Sequence, residues 1–230
     1  MKTIGLIGGM SWESTAHYYS LLNKLVKQRL GGHHSAQLLL YSIDFDEMAA
    51  LQFAGKWDEA TEMMINAARR LERGGADFML IGSNTMHISA EAMERAVSIP
   101  LLHIADPVGA RMVAQGIRRT GLLGTAFTME QSFYRERLRE KFGLQVLVPK
   151  TDGRKAVQDI IYCELVHGIV TPASKAKLRE VIAQLAAEGA EAIILGCTEL
   201  MMIVEQADSS VPLFDTTTIH AEAAVEQALA

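Results

Sequence analysis

The chain has 230 residues, of which 49% are hydrophobic and 21% are charged, and its net charge is −5 at pH 7. This length predicts one large or two small domains with a sizeable core, and the acidic balance argues against a nucleic-acid partner, which requires a basic surface. No run of about 18 apolar residues is present, so we expect no membrane span, and the short, glycine-broken apolar N-terminus favours a cytoplasmic protein over a secreted one.

The first half of the chain predicts alternating strands and helices. Gly5–Gly8 and Gln37–Ile43 are strand-like, and a helical stripe of apolar residues at i, i+3, i+4 and i+7 then runs from Met64 to Leu71. The apolar run Phe78–Ile81 predicts a buried strand, and Ile99–Leu102 predicts another. The order is typical of a parallel α/β sheet with right-handed crossovers.

The second half repeats this pattern. Gly189–Glu199 resembles Gly75–Thr85 at an offset of 114 residues (197 − 83), and the helical stripe Leu178–Leu185 precedes it at the same offset. Thr171 and Pro172 are typical of the first positions of that helix, and both helices are predicted to end at glycine. The remaining pairs are Gly121–Gly124 with the first strand, Leu144–Val148 with the second, and Val211–Phe214 with the fourth. Each half therefore reads β-α-β-α-β-α-β.

The duplication places Ser83 and Cys197 at matching strand ends. Ligands of open parallel sheets bind just beyond the carboxyl ends of the strands. Two related halves that face each other would put these side chains on opposite sides of one cleft. A fold repeat without functional content is the simpler alternative, and part of the duplication is surely structural.

Cys197 is the strongest candidate for chemistry. A thiol between a strand end and a helix start feels the positive end of the helix dipole, so we expect its pKa to fall below the usual value of about 8.5. The N–H groups of Thr198 and Glu199 would be free to bind a carboxylate. The alternative is an inert buried cysteine, which is the more common role of a lone thiol. The other cysteine, Cys163, lies in an apparently helical stretch and is predicted to be unreactive.

Other polar residues carry weaker signals. A serine without assistance is a poor base, so Ser83 could simply cap a helix or bind a ligand. His87 and His220 each follow a strand end, where either could orient a base or be a hydrogen-bonded interior histidine. Neither a ligand-spaced Cys/His cluster nor a phosphate-binding glycine motif is present, so we expect no metal and no cofactor.

The ordered motifs resemble the aspartate/glutamate racemase family along essentially the whole chain. They are Gly8–Ser14, Asn84–His87, Gly124–Thr125, Gly196–Glu199 and Asp215–Ala221. The resemblance implies two pseudo-twofold-related parallel-sheet α/β domains with the active site in the cleft between them, and commonly a homodimer. The boundaries it implies are 1–105 plus 215–230 for the first domain and 106–214 for the second.

The resemblance also implies a reaction. One residue removes the α-proton of an amino acid and a second returns it on the opposite face, without pyridoxal phosphate or metal. Cys197 would be one of these residues, and the residue before Asn84, here Ser83, would be the other. The residues implied to line the substrate site, with Thr125 added because its hydroxyl lies in a matching turn, are Met10, Gln52, Asn84, Thr85, Thr125, Thr198 and Glu199.

Two departures from the family pattern affect the prediction. The family usually has cysteine, and in some members threonine, where this chain has Ser83, which is therefore either the natural member of an unequal pair or a replacement. Family members strict for acidic substrates carry basic residues for the distal carboxylate, whereas Met48 and Val166 stand near where such a residue would be sought. A pocket without that charge would suit neutral side chains, so broad specificity is an alternative to aspartate or glutamate.

Two other functions remain open. Malonate-type decarboxylases of the same superfamily use a single cysteine to protonate a carbanion, which fits one thiol, whereas the Asn84–His87 context favours a racemase. An amino-acid-binding protein that lacks the second base at Ser83 is the other alternative.

Overall fold

The computed structural model describes residues 1–230 and divides into two compact units. The first comprises residues 1–104 and 220–230, and the second comprises residues 105–219. Each unit contains one parallel sheet, which confirms the predicted α/β class with two parallel sheets. No helix combines the length and the apolar character that crossing a membrane would require.

The first unit is built on a three-stranded sheet with β1 in the centre. Its strands, in the order β2-β1-β3, are β1 (Ile4–Gly8), β2 (Leu38–Ser42) and β3 (Phe78–Ile81). Its helices are α1 (Trp12–Leu30), α2 (Phe45–Phe53), α3 (Trp57–Arg73) and the short α4 (Ala90–Ala96). Because β1 and β3 are buried along their whole length, the sheet lies inside the unit, as expected for parallel strands covered by helices.

The second unit has a four-stranded sheet. Its strands, in the order β5-β4-β6-β7, are β4 (Arg119–Gly124), β5 (Gln145–Leu147), β6 (Ala192–Gly196) and β7 (Leu213–Asp215). Its helices are α5 (Ala105–Ala114), α6 (Ala126–Glu130), α7 (Ser132–Phe142), α8 (Thr151–Cys163) and α9 (Pro172–Ala187). Helix α10 (Thr216–Leu229) starts in this unit and carries the chain back to the first.

The repeated helices α3 and α9 pack as their apolar stripes predict. All four residues of each stripe are buried: Met64, Ala67, Ala68 and Leu71 in α3, and Leu178, Val181, Ile182 and Leu185 in α9. Burying a side chain the size of leucine stabilises the fold by about 1.5–3 kcal/mol. The stripes therefore hold α3 and α9 against the sheets of their own units.

Both helices end in the same left-handed glycine. Gly75 has a φ of 89° and Gly189 a φ of 96°, a region in which a side chain would be strained. The following N–H groups return to matching carbonyl oxygens, Ala76 to Leu71 at 3.1 Å and Ala190 to Leu185 at 2.9 Å. The predicted N-cap of α9 is also confirmed, because the Thr171 hydroxyl accepts a hydrogen bond from the Ser174 N–H.

The two halves depart from the predicted repeat in their last segments. In the first half the fourth strand is reduced to a single bridge between Met79 and Leu101. Beyond that bridge the backbone binds histidine side chains instead of the sheet, since the Leu102 carbonyl is bonded to His220 and the Ile104 N–H to His87. In the second half the predicted helix between β6 and β7 is replaced by two 3₁₀ turns, Leu200–Met202 and Gln206–Asp208. The first turn ends at Ile203 and Val204, whose β-branched side chains do not favour helix and are buried in the core.

Candidate active site

The turn after β1 is shaped by Gly9. Its φ of 89° and the position of the Ile43 carbonyl, which a Cβ at Gly9 would overlap, make glycine necessary there. The Gly9 N–H donates to the Thr15 hydroxyl at 2.7 Å, and Ser11 caps the N-terminus of α1. Met10, between them, is buried with 6% of its surface exposed. The turn thus holds Met10 at the carboxyl end of the central strand.

Ser83 lies in the turn after β3, followed by a 3₁₀ turn at Thr85–Ser89. Its hydroxyl accepts a weak hydrogen bond from the Met86 N–H at 3.4 Å, so one of its roles is the capping role considered from the sequence. Ser83 is 9% exposed, and its neighbours Asn84 and Thr85 are 3% and 6% exposed. The side chains predicted to bind substrate therefore form a nearly buried polar turn at the end of the strand.

Gln52 reaches the same turn from α2. It is buried, and its amide nitrogen donates to the Met86 sulfur at 3.1 Å. Its carbonyl oxygen is buried and has no hydrogen-bond partner within the protein. Burying a hydrogen-bond acceptor without a partner costs free energy, so this oxygen favours a ligand that can donate to it.

The two predicted histidines occupy different positions. His87 binds the Ser83 main-chain carbonyl through Nδ1 at 2.7 Å, and its Nε2 accepts from the Ile104 N–H at 3.1 Å. His220 binds the Tyr18 hydroxyl at 3.0 Å and the Leu102 carbonyl at 2.8 Å. His87 therefore supports the Ser83 turn through the backbone, whereas His220 acts one step further from it.

Cys197 lies in the turn after β6, at the position that repeats Ser83. Its Sγ donates to a carboxylate oxygen of Glu199 at 3.0 Å, and the Thr198 hydroxyl donates to the same oxygen at 2.7 Å. All three residues are buried, with Cys197 and Thr198 each 7% exposed and Glu199 4% exposed. The turn therefore combines a thiol with a carboxylate acceptor, a pair that the first half does not have at the matching positions.

The prediction of a lowered Cys197 pKa is wrong for the ligand-free protein. Burial raises the pKa of this thiol well above its usual value, and the charge and hydrogen bond of Glu199 add to the rise. Hydrogen bonds from the N–H groups of Glu199 and Thr198 oppose it. The sulfur is packed in the apolar core of the second unit, and the three residues Leu200–Met202 form a 3₁₀ turn instead of the helix whose dipole was expected to stabilise the thiolate.

Thr125 lies in the neighbouring turn after β4. Its hydroxyl caps α6 by accepting from the Thr128 N–H at 3.3 Å and is 3.2 Å from the Thr128 hydroxyl. Gly124 permits the close approach of two strand ends, because a Cβ there would lie 2.7 Å from the Gly196 carbonyl oxygen. The absence of a side chain at Gly124 thus brings Thr125 to the same end of the sheet as Cys197.

Every predicted site residue lies at or beside the carboxyl end of a sheet, or in the hydrogen-bonded cluster behind it. The first unit contains Met10, Gln52, Ser83, Asn84, Thr85, His87 and His220, and the second contains Thr125, Cys197, Thr198 and Glu199. Met48 is fully buried in the first core and Val166 is packed against the second, so neither is replaced by a hidden basic residue.

Sequence reasoning missed three aromatic or histidine side chains near these turns. His103 lies against His87 with ring centroids 4.3 Å apart, and Tyr18 is the partner of His220. Tyr162, on α8, has a pKa raised by burial and by the charges of Cys197 and Glu199. Tyr162 directly precedes Cys163 in the sequence, and the helical period of α8 alone does not reveal that it approaches the Cys197 turn.

The structure brings together no group of three or more His, Cys, Asp or Glu side chains that could hold a metal ion. The polar atoms at the two strand-end turns are hydroxyls, amides, one thiol and one carboxylate. Such groups are suited to binding a small zwitterion and to moving protons.

The fold and these turns define a class of protein: two parallel α/β units, each with an acid/base side chain where a buried strand ends. Residues 7–224 match the Asp/Glu/hydantoin racemase family. A candidate Asp/Glu racemase from Yersinia pestis is 50% identical, with a TM-score of 0.94 and 100% of each chain covered. An aspartate racemase homologue from Pyrococcus horikoshii is 35% identical, with a TM-score of 0.86 over 100% of both chains. The chain belongs to the Asp/Glu/hydantoin racemase family.

A characterised activity is named for a more distant relative. The broad-specificity amino-acid racemase RacX of Bacillus subtilis is 26% identical over 99% of this chain and 98% of its own length. The sequence resemblance to racemases stated above is thereby confirmed at the level of the family.

Proposed function

We propose that this protein is an amino-acid racemase that interconverts L- and D-amino acids without pyridoxal phosphate or metal. Cys197 and Ser83 are the two acid/base residues, acting on opposite faces of the α-carbon. The observation that carries the proposal is the repeat itself. Two matched turns, at the ends of matched buried strands, present one ionisable or hydroxyl side chain each, in a chain that belongs to a racemase family.

Cys197 must lose its own proton before it can take one from the substrate. The Glu199 oxygen, 3.0 Å from Sγ, is the acceptor in position to receive it. The thiolate then removes the α-proton, re-forming the S–H bond, and the electron pair of the broken C–H bond remains on the substrate as a carbanion. Glu199 is thus the proton partner of the thiol.

The carbanion requires stabilisation by groups that are already in place. Without a cofactor to delocalise the charge, the donors are main-chain N–H groups and the side chains of Asn84, Thr85 and Thr198 around the substrate carboxylate. The unpartnered oxygen of Gln52 suits the substrate ammonium, which has N–H groups to donate. These contacts would hold the substrate while its α-carbon changes configuration.

Ser83 returns a proton to the opposite face, and it is the weaker member of the pair. Its hydroxyl keeps its proton far above neutral pH, so it is a poor base. His87 is not placed as its helper through the hydrogen bonds described above, because the two ring nitrogens bind the main chain at Ser83 and Ile104. We therefore expect exchange from the L side, which the family resemblance assigns to Cys197, to outrun exchange from the D side.

The substrate we propose is an amino acid with an acidic or a neutral side chain. Relatives are named for aspartate, for Asp/Glu and for broad specificity, and the residues at Met48 and Val166 supply no positive charge for a distal carboxylate. The protein is further proposed to act as a homodimer.

The decisive experiment is proton NMR in heavy water with a panel of L- and D-amino acids. α-Deuterium exchange and inversion are read separately, each from both enantiomers. The proposal requires exchange with inversion for at least one amino acid, with the L-side exchange faster. Binding of an amino acid without any α-exchange would show instead a binding protein that lacks the second base.

Cofactor independence has its own test. Dialysis against a chelator, followed by the same assay, should leave the rate unchanged because no ligand-spaced cluster was found in the sequence. Loss of activity that zinc or pyridoxal phosphate restores would contradict this part of the proposal.

A second candidate function is a malonate-type decarboxylase. The observation that favours it is that only one of the two matched turns carries a thiol, which is enough to protonate a carbanion from one face. Release of CO2 from a substituted malonate, without exchange of amino-acid α-protons, would select this function.

A further inference from the structure

Behind the Ser83 turn, the first unit contains a buried cluster of three histidines and a tyrosine. His87 is 2% exposed and His103 is 3% exposed, while His220 and Tyr18 are fully buried. The ring centroids of His87 lie 4.3 Å from His103 and 6.2 Å from His220. We refer to these four side chains as the histidine cluster. The acid/base steps above leave the whole cluster unused.

The hydrogen bonds of His87 define which of its nitrogens carries the proton. Nε2 accepts from the Ile104 N–H at 3.1 Å and must therefore have a free electron pair. The hydrogen of the neutral ring then resides on Nδ1, which donates to the Ser83 carbonyl at 2.7 Å. His87 thus uses one donor and one acceptor to join the Ser83 turn to the backbone at Ile104.

The backbone groups that the cluster binds lie where the chain leaves the first unit and returns to it. Ile104 is the last residue before the chain enters the second unit, and His220 is the first residue after it comes back. His220 binds the Leu102 carbonyl at 2.8 Å, two residues before that exit. The Ser83 turn is therefore anchored, through His87, to a segment whose own position is held by His220.

The Cys197 turn is built without such an anchor. At the spacing of the repeat, the residue that matches His87 is Met201, whose side chain cannot donate or accept as a histidine does. In that turn the site oxygen Glu199 Oε2 gathers the Cys197 and Thr198 side chains directly. The difference shows that a strand-end turn of this repeat can form without a histidine, so His87 has a use beyond forming the turn.

We propose that His87 is a positioning residue for Ser83, and that it sets the rate of proton transfer on the Ser83 side alone. The inference rests on the proposed racemase function. By holding the Ser83 carbonyl, His87 fixes the backbone from which the hydroxyl projects, and small misplacement of an acid/base group slows proton transfer strongly. Cys197, in a turn without this contact, does not depend on it.

Two substitutions separate the two bonds of His87. His87→Asn keeps an N–H donor close to the position of Nδ1 and gives up the bond to Ile104. His87→Gln keeps an acceptor close to the position of Nε2 and gives up the bond to Ser83. Tyr18→Phe is the matched control, because it removes a hydrogen bond of the histidine cluster without touching Ser83 or His87.

The assay measures α-deuterium exchange with retention and with inversion, starting from each enantiomer in heavy water. We expect His87→Gln to slow inversion and D-side exchange about tenfold or more, since a positioned acid/base group contributes on the order of 10²–10⁴-fold. L-side exchange with retention, which needs only Cys197, should stay within about twofold by the same reasoning. His87→Asn should keep most of the D-side rate, and Tyr18→Phe should change both sides equally.

A second measurement needs no substrate. The Met86 N–H donates to the Ser83 hydroxyl, so amide hydrogen exchange at Met86 reports whether that hydroxyl is still in place. Faster exchange at Met86 in His87→Gln but not in His87→Asn, with matched melting temperatures, supports the positioning role even if the protein racemises nothing, an outcome that would refute only the proposed function. An active protein in which His87→Gln and His87→Asn lose both sides equally would overturn the inference.

Discussion

The Ser83 and Cys197 turns share a backbone plan but not their chemistry. Both follow a buried parallel strand that ends at glycine, at equal spacing in the repeat. Around Cys197 the partner is the carboxylate of Glu199, whereas around Ser83 the main partners are a main-chain N–H and a histidine that binds the carbonyl. The comparison teaches that a duplicated backbone fixes where two side chains project and leaves their acid/base strength to the local surroundings.

The largest effect should follow from removing the thiol. Cys197→Ala should lower racemisation by at least about a hundredfold, because a positioned acid/base group contributes on the order of 10²–10⁴-fold. Cys163→Ala is the matched control, since Cys163 is exposed on the surface and should be replaceable with less than a twofold change, an estimate based on the small effect of surface substitutions. The two rates are compared by NMR in heavy water. Retained racemisation in Cys197→Ala would remove the thiol from the mechanism.

A smaller effect, in the opposite direction, should follow from making the two turns alike. Ser83→Cys supplies a thiol on both sides, so exchange that starts from the D-enantiomer should rise about tenfold, which corresponds to about 1.4 kcal/mol off the barrier. Exchange from the L side should change less. Ser83→Ala, which has neither hydroxyl nor thiol, is the control and should lower the D-side rate. An unchanged or lower D-side rate in Ser83→Cys would mean that Ser83 is not the second acid/base position.

The smallest effect concerns the pH at which Cys197 reacts. Because burial and Glu199 raise the pKa of this thiol, its thiolate becomes abundant only at alkaline pH, and L-side kcat/KM should rise with pH through that range. In the ligand-free protein, iodoacetamide should modify the exposed Cys163 before the buried Cys197, which reverses the order expected from the sequence. Peptide mass spectrometry after timed alkylation at several pH values measures both.

Glu199→Gln sharpens the same measurement. The substitution keeps the shape of the side chain but removes the negative charge that opposes a thiolate, so the alkylation profile of Cys197 should move to lower pH. Thr198→Val is a control that removes a hydrogen bond to Glu199 and leaves its charge. A profile that does not move in Glu199→Gln would show that burial alone raises the pKa.

Local patterns in the sequence were enough to predict much of the fold. The apolar stripes of α3 and α9, the glycines that end these helices and the Thr171 cap are all where the patterns place them. These features depend on residues within a few positions of one another, so periodicity and capping rules reach them. The wrong predictions, a helix after Cys197 and a full fourth strand in the first half, fall where side chains distant in sequence bind the backbone.

By itself, then, the sequence determined the α/β class, the repeat, the two strand-end positions and the family, because each is a matter of spacing and residue type along the chain. Only the tertiary structure decided what surrounds Ser83 and Cys197. The apolar residues that bury Cys197 and raise its pKa come from several elements of the second unit, including Leu123, Ile161 and Leu200. The bond between Tyr18 and His220 joins residues 202 positions apart. Burial and hydrogen-bond partners are set by packing, and packing brings together residues whose separation along the chain carries no pattern to read.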